Sequence, residues 1–486
     1  MKQPILTQLL SNFDRSDLEN WREYLVSPFF RVPEKLRLLG LHLHEHWPDF
    51  SPDTCGKLAI QSLLFDSVNP SESQKIYDAF SQLYKLTLQF LAHHHLQKHP
   101  QHFVHVQLEE LSKKNAAAQV EKLYRESHAQ QQDHFIGESK DALIQLLSAQ
   151  QATEWFARQQ QRHHDSSRVD VLNATDQYYL LTRLKYSCEW LNRRNILPAE
   201  AGPDPMQHLP DLERWSSTLR SLPLIRMYES VLGMLREDDR EAFRTLVQLL
   251  AQYDAQISVN EASALFAYAQ NFCIRMVNSG EQQYLEDLFM LYGETLRLDL
   301  LHENGQLDHR QYKNIVTVGL RLQKFDWVGT FLETYREELP DQYRNNAYLY
   351  NLASLRYAEQ RYGEALSLLQ EVNFTDVYYH LSAKTMMLKI YFEREEDEAL
   401  EHLLVTFRMF LQRNKEVSTY QRDIHLNLVR FTKKLYQLRL SSFRLQAEES
   451  GKRLAKLQQQ LAETKNVANV SWLEEQVGRM IELLSF

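Results

Sequence analysis

A chain of 486 residues is long enough for two to four ordinary domains or for one extended array of repeats. Hydrophobic residues at 43% and charged residues at 24% exclude a disordered chain, and 13 Gly with 13 Pro give too few turn signals for many short strands. A net charge of -9 excludes a global attraction to nucleic acid or anionic membrane, and three scattered cysteines exclude a disulfide framework.

Leu, Gln, Glu, Ala, Tyr and Arg dominate instead, and these residues favour helix. The first residues, Met1 to Leu6, lack the apolar core and small-residue cleavage site of a signal peptide. No stretch approaches the roughly 18 uninterrupted apolar residues of a spanning helix. The expectation is a soluble, cytoplasmic protein.

Residues 1–100 read as a helical N-terminal domain. Ser16-Asp17-Leu18-Glu19 has the form of a capping box ahead of Trp21, Tyr24 and Leu25. Pro28 ends that helix, Pro33 opens the next through Leu36, Leu38, Leu39 and Leu43, and Ser51-Pro52 starts another. Asn69-Pro70-Ser71 begins a long helix whose Ile76, Phe80, Leu83, Tyr84, Thr87, Leu88 and Leu91 mark one face at three- and four-residue steps. Residues 101–197 continue as irregular helical hairpins, with glutamine runs at 130–132 and 159–161 near expected helix ends. Residues 198–211 carry Pro198, Gly202, Pro203, Pro205 and Pro210, too many breakers for a helix, and read as a loop.

From 212 to 412 helical hairpins follow almost without pause: 220–235 with 239–253, 260–277 with 281–299, 309–322 with 325–338, 345–359 with 362–372, and 380–393 with 396–412. Residues 413–486 read as long C-terminal helices and a cap, with Ile424, Leu428, Phe431, Leu435 and Leu438 as an inner stripe.

Within this array a pattern repeats. Tyr350-Asn351-Leu352-Ala353 is followed by Tyr357, Tyr362, Ala365, Leu369 and Val372. Thirty-four residues on, Tyr357 recurs as Tyr391, Ala365 as Ala399 and Leu369 as Leu403. Small residues stand where two helices cross closely and large ones fill the gaps toward the next unit; a lone hairpin cannot bury its apolar face, so neighbours must stack. The stretch 309–412 resembles the tetratricopeptide-repeat family. The unit before it is looser, with Val316 and Val328 where small residues are usual, and the unit after it has Met387 at the first small position. The fold class expected is all-α, a right-handed α-α superhelix behind a helical N-terminal domain. The overall layout is similar to that of uncharacterised bacterial helical-repeat proteins.

The resemblance implies a groove for a protein or peptide, with Tyr312, Asn314, Tyr350, Asn351, Arg356 and Lys384 as partner-binding candidates on the inner helices. Asn351 matches the family's peptide-contacting asparagine. Its equivalent 34 residues on is Thr385, so a full carboxylate clamp is absent.

Catalytic signatures are missing. There is no Gly-x-Ser-x-Gly, no Walker-type phosphate loop and no Gly-x-Gly-x-x-Gly. Cys55, Cys188 and Cys273 sit beside apolar neighbours and read as small core fillers. His42 and His46 share one helical face, and His93, His94, His95, His99, His102 and His105 form a second cluster. A pair spaced by four can chelate zinc only with a third ligand and an oriented second shell, which the sequence does not supply, so these histidines read as solvated or packed side chains and no metal or cofactor is expected. Glu393, Glu395, Glu396, Asp397 and Glu398 read as a solvated turn and a helix N-terminus whose dipole favours negative charge.

Between Arg408 and Lys456 basic residues exceed acidic ones by eight. Arg430, Lys433, Lys434, Arg439, Arg444, Lys452 and Arg453 could form a basic face for an acidic peptide or a phosphate backbone. Phe431, Tyr436 and Phe443 fall on the apolar stripe, so a wetted helix face is the simpler reading. The expectation is a non-enzymatic interaction scaffold with a protein or peptide partner; the alternative is a nucleic-acid-associated regulator using the basic face.

Overall fold

Secondary structure in the computed structural model is almost wholly helical, as the scarce Gly and Pro and the three- and four-residue apolar steps demand. The structure describes residues 4–65, 73–132, 137–158, 165–196, 215–303, 305–372, 377–442 and 447–484. The expected helix start at Asn69-Pro70-Ser71, the 159–161 glutamine run, the 198–211 loop and Arg444 lie outside the described residues. The chain divides into two units, Met1–Phe272 and Cys273–Phe486.

The first unit opens with α1 (Ile5–Leu10), α2 (Arg15–Val26), α3 (Glu34–Glu45), α4 (Pro52–Cys55), α5 (Lys57–Leu64) and α6 (Ser73–Lys98). The cap of α2 is Asp14, whose carboxylate accepts from the Asp17 amide at 2.7 Å, two residues ahead of the expected Ser16. A carboxylate satisfies the orphan amide and also meets the positive end of the helix dipole. Pro33 stands at the start of α3 and Ser51 caps α4, both as the sequence indicates. Trp21, Leu25, Leu39 and Leu43 are fully buried at the centre of this bundle. The Trp21 indole N–H donates to the Thr87 hydroxyl at 3.1 Å, so the bundle's largest core side chain leaves no unpaired donor.

Next come α7 (Pro100–Lys113), α8 (Ala117–Gln132), α9 (Ser139–Arg158) and α10 (Asp165–Ile196). Leu108, Val120, Ala152, Trp155 and Phe156 form a smaller core among α7, α8 and α9. The unit ends with α11 (Ser217–Arg220), α12 (Pro223–Glu237), α13 (Arg240–Tyr253) and the first part of α14 (Val259–Asn278). Glu261 is 1% exposed there, and it survives burial because it accepts from Lys185 Nζ at 2.6 Å, from the Ser139 amide at 3.3 Å and from the Tyr228 hydroxyl.

The second unit continues through α15 (Tyr284–Arg297) to a two-stranded hairpin, β1 (His302–Glu303) and β2 (Gln306–Leu307). This hairpin has no counterpart in the helical pattern read from the residues. Then follow α16 (His309–Arg321), α17 (Phe325–Thr334), α18 (Asp341–Ala358), α19 (Tyr362–Glu371), α20 (Val377–Glu393), α21 (Asp397–Arg413), α22 (Thr419–Ser442), α23 (Ala447–Glu463) and α24 (Val470–Leu484). Each helix packs on the next, and α16, α18 and α20 also pack side by side.

Close crossings use small residues, although not always the expected ones. Ala353 and Ala365 are both fully buried at the α18–α19 hairpin. In the α16–α17 hairpin the small residue is Gly319, not the position of Val316: a Cβ on Gly319 would lie 2.6 Å from Val328 Cγ2. Gly319 stands 34 residues before Ala353, and Val328 stands 37 before Ala365. The larger partner in one helix is thus matched by the smaller one in the other.

Candidate functional site

Lys313, Tyr350 and Lys384 are separated by steps of 37 and 34 residues, the steps that relate Val328, Ala365 and Ala399. They stand on the three adjacent helices α16, α18 and α20. Lys313 Nζ lies 4.8 Å from the Tyr350 ring centre and 6.0 Å from that of Tyr379, and it donates to the Ser382 hydroxyl at 2.8 Å. Tyr350 and Tyr379 meet edge to face at 5.5 Å. One lysine on α16 thus crosses an aromatic residue on α18 to reach α20. A cation over ring faces keeps its charge at low desolvation cost and presents it beside apolar surface.

Further groups surround this cluster. His309 packs tilted against Tyr343 with ring centres 4.1 Å apart, and its Nδ1 lies 3.4 Å from the Tyr379 hydroxyl. Burial pushes the His425 imidazole of α22 down, and the Lys313 charge adds to that. Burial likewise pushes the Lys384 ammonium down.

The expected partner-binding residues separate into groups. Tyr350 belongs to the cluster, and Lys384 is a half-buried residue of α20. Asn314 is exposed on α16. Tyr312 is fully buried and donates to the Leu332 carbonyl at 2.9 Å, so it ties α16 to α17. Asn351 is 1% exposed and donates to the Ala347 carbonyl at 2.8 Å, within its own helix. Arg356 pairs with Glu359 at 2.7 Å and Glu364 at 3.6 Å. Lys313, Tyr379 and Ser382 were missed; the repeat steps pointed to Lys313, which is flanked by the two neighbours chosen instead.

The basic stretch is less available than its charge count suggests. Arg439 donates to the Phe392 carbonyl and to Asp397, at 2.7 and 2.6 Å. Lys434 bonds Gln460 at 2.6 Å, and Arg453 pairs with Glu449 at 2.6 Å. Arg430, Lys433 and Lys452 are exposed, while Phe431 and Tyr436 are buried.

The acidic run also divides. Asp397 and Glu398 open α21 as expected. Glu393 is instead a polar hub that accepts from the Tyr357 and Tyr362 hydroxyls at 2.6 and 2.9 Å and from the Trp472 indole at 2.7 Å. It joins α18, α19, α20 and α24, and a carboxylate with three donors has no need of solvent.

Of the histidines, His95, His99 and His102 gather at the α6–α7 junction, with His95 Nε2 and His102 Nδ1 3.1 Å apart. His94 faces Asp17 at 3.4 Å. His42 and His46 face each other on α3, ring centres 4.3 Å apart. Cys188 and Cys273 are buried, and Cys55 is partly exposed. Among the described residues no helix is long and apolar enough to cross a membrane. No protein-family model, no curated protein and no solved structure matches the chain.

Proposed function

We propose that the chain is a non-enzymatic, cytoplasmic interaction scaffold. Its second unit is read as a tetratricopeptide-like, right-handed α-α superhelix that takes a peptide or protein segment along the face shared by α16, α18 and α20. The observation that carries this reading is the Lys313–Tyr350–Ser382 crossing, because a side chain reaches the helix two places on only where the first helices of successive hairpins close in on one another. Such closing-in is what superhelical stacking produces on its inner side.

A lysine over tyrosine rings, with a serine hydroxyl and Asn314 near in sequence or space, suits a segment that offers a carboxylate on an apolar stem. The nucleic-acid reading retains the exposed Arg430 and Lys433 but loses Lys434, Arg439 and Arg453 to partners within the chain.

The test is panning of a random peptide library against the full chain. Binders should converge on an acidic motif, and Lys313→Met should weaken them at least ~10-fold, or about 1.4 kcal/mol. Binders indifferent to that substitution would refute the assignment of this face. RNA or DNA binding at about 50 mM salt that is lost on reversing Arg430 and Lys433 would favour the alternative.

A further inference from the structure

The sequence left His42 and His46 without a third ligand, and the fold brings one to them. His42, His46 and Cys55 each offer one donor atom, and those atoms all lie within 4.8 Å of one another. We propose that these three side chains bind a borderline divalent cation of the zinc type.

The placement is built rather than incidental. His42 and His46 stand one turn apart at the C-terminal end of α3. Cys55 is the last residue of α4, a single turn whose start is fixed by the Ser51 hydroxyl accepting from the Thr54 amide at 3.3 Å. Gly56 then lets the chain turn sharply into α5, since a Cβ at that position would collide with the Pro52 carbonyl.

Both imidazoles are already oriented. His42 Nε2 donates to the Thr54 carbonyl and His46 Nδ1 donates to the His42 carbonyl, each at 2.8 Å. A ring nitrogen that donates to a carbonyl carries the proton, so the other nitrogen keeps its lone pair for a ligand. This is the second shell that a metal-binding histidine needs. The Thr54 carbonyl belongs to the residue beside Cys55, so one bond orients His42 and also locates the sulfur.

Size and softness agree. Tetrahedral zinc, with bonds of about 2.0–2.3 Å, holds its ligand atoms about 3.3–3.6 Å apart, so a contraction of roughly 1 Å closes the set. All three side chains are half-buried, reachable by an ion and able to adjust. Two imidazoles and a thiolate select zinc or cobalt over magnesium or calcium, which prefer oxygen. The thiol proton leaves to solvent on binding, and three protein ligands leave the fourth position to water. Among the described residues the His95–His99–His102 group does not bring three donor atoms this close to one another.

The probe is cobalt(II) added to the full chain under reducing conditions, read by absorbance. The expected result is one equivalent bound with a thiolate-to-cobalt charge-transfer band in the near ultraviolet, discharged by zinc. Cys55→Ser should abolish the band, and His46→Gln should weaken zinc more than about 100-fold, beyond the 10- to 100-fold typical of second-shell changes. His99→Ala should leave the band intact. Zinc should raise the melting temperature of the wild type and not that of Cys55→Ser. Cobalt bound without a charge-transfer band, a band that persists in Cys55→Ser, or no metal bound by the folded wild type would each overturn the proposal.

Discussion

Three imidazoles meet where α6 gives way to α7, and their protonation sets a local pH response. Burial pushes both His95 and His102 down from 6.5, and the neighbouring His99 adds to the effect. Lys140 acts in the same direction, while Glu138 and Asp141 oppose it. His102 is the better enclosed of the two, at 13% side-chain exposure, and Asp141 stands 3.8 Å from it. Because both values are lowered in the folded chain, the unfolded chain binds more protons below pH 6.5. The stability present above pH 6.5 is therefore lost as pH falls through the folded values. The urea midpoint should drop as pH falls below 6.5, and His102→Asn should flatten that drop. An equal drop in the variant would show that carboxylates elsewhere dominate. The sequence revealed the histidine cluster but not its pairing, since Pro100 divides the run and nothing in the spacing places Asp141 nearby.

At the scale of helices, the hairpin α16–α17 packs through a close approach of a small residue to a larger one. Gly319 faces Val328, and in the next hairpin Ala353 and Ala365 are both fully buried. Gly319→Ala gains helix propensity of about 1 kcal/mol, because glycine is the costlier helical residue. It also places a methyl against Val328 Cγ2, and overpacking of this kind costs about 1–3 kcal/mol. The overpacking should win, giving a net loss readable in a denaturant titration. Adding Val328→Ala should recover part of that loss, since the pair then carries the side chains of the α18–α19 hairpin. A double-mutant cycle with no coupling would show that the two residues do not share one contact.

Helix spans were legible in the sequence because the apolar steps and the Pro and Ser starts are local signals. Pro33, Ser51 and the breaks near 322, 360 and 395 fall where they were read. The Asp14 cap, the small role of Gly319 and the approach of Cys55 to His42 were not legible, because each depends on a partner from another element. Of the Lys313 cluster the sequence pointed to Tyr350 alone, because the reach of Lys313 to Ser382 requires three helices in place.

On the scale of the molecule, the second unit offers a direct trial of the superhelix reading. Its helices pack on their immediate neighbours, α16 with α18, α18 with α20 and α22 with α24 also pack, and a stack of paired helices gains its stability locally. Leu369 is fully buried in α19, and Leu→Ala at such a position costs about 2–5 kcal/mol. In a nearest-neighbour stack that cost is felt first by adjoining hairpins and fades with distance along the array. Hydrogen exchange on Leu369→Ala should therefore show the greatest loss of protection in α18 to α21, with less in α24. The bundle around Trp21 and Leu43, which has its own core in the first unit, should exchange as in the wild type. A uniform loss across all of α15 to α24 would mean that the unit opens as one globule. Its helices would then share a single cooperative core, and the inner face would need a different physical account from the stacking of paired helices.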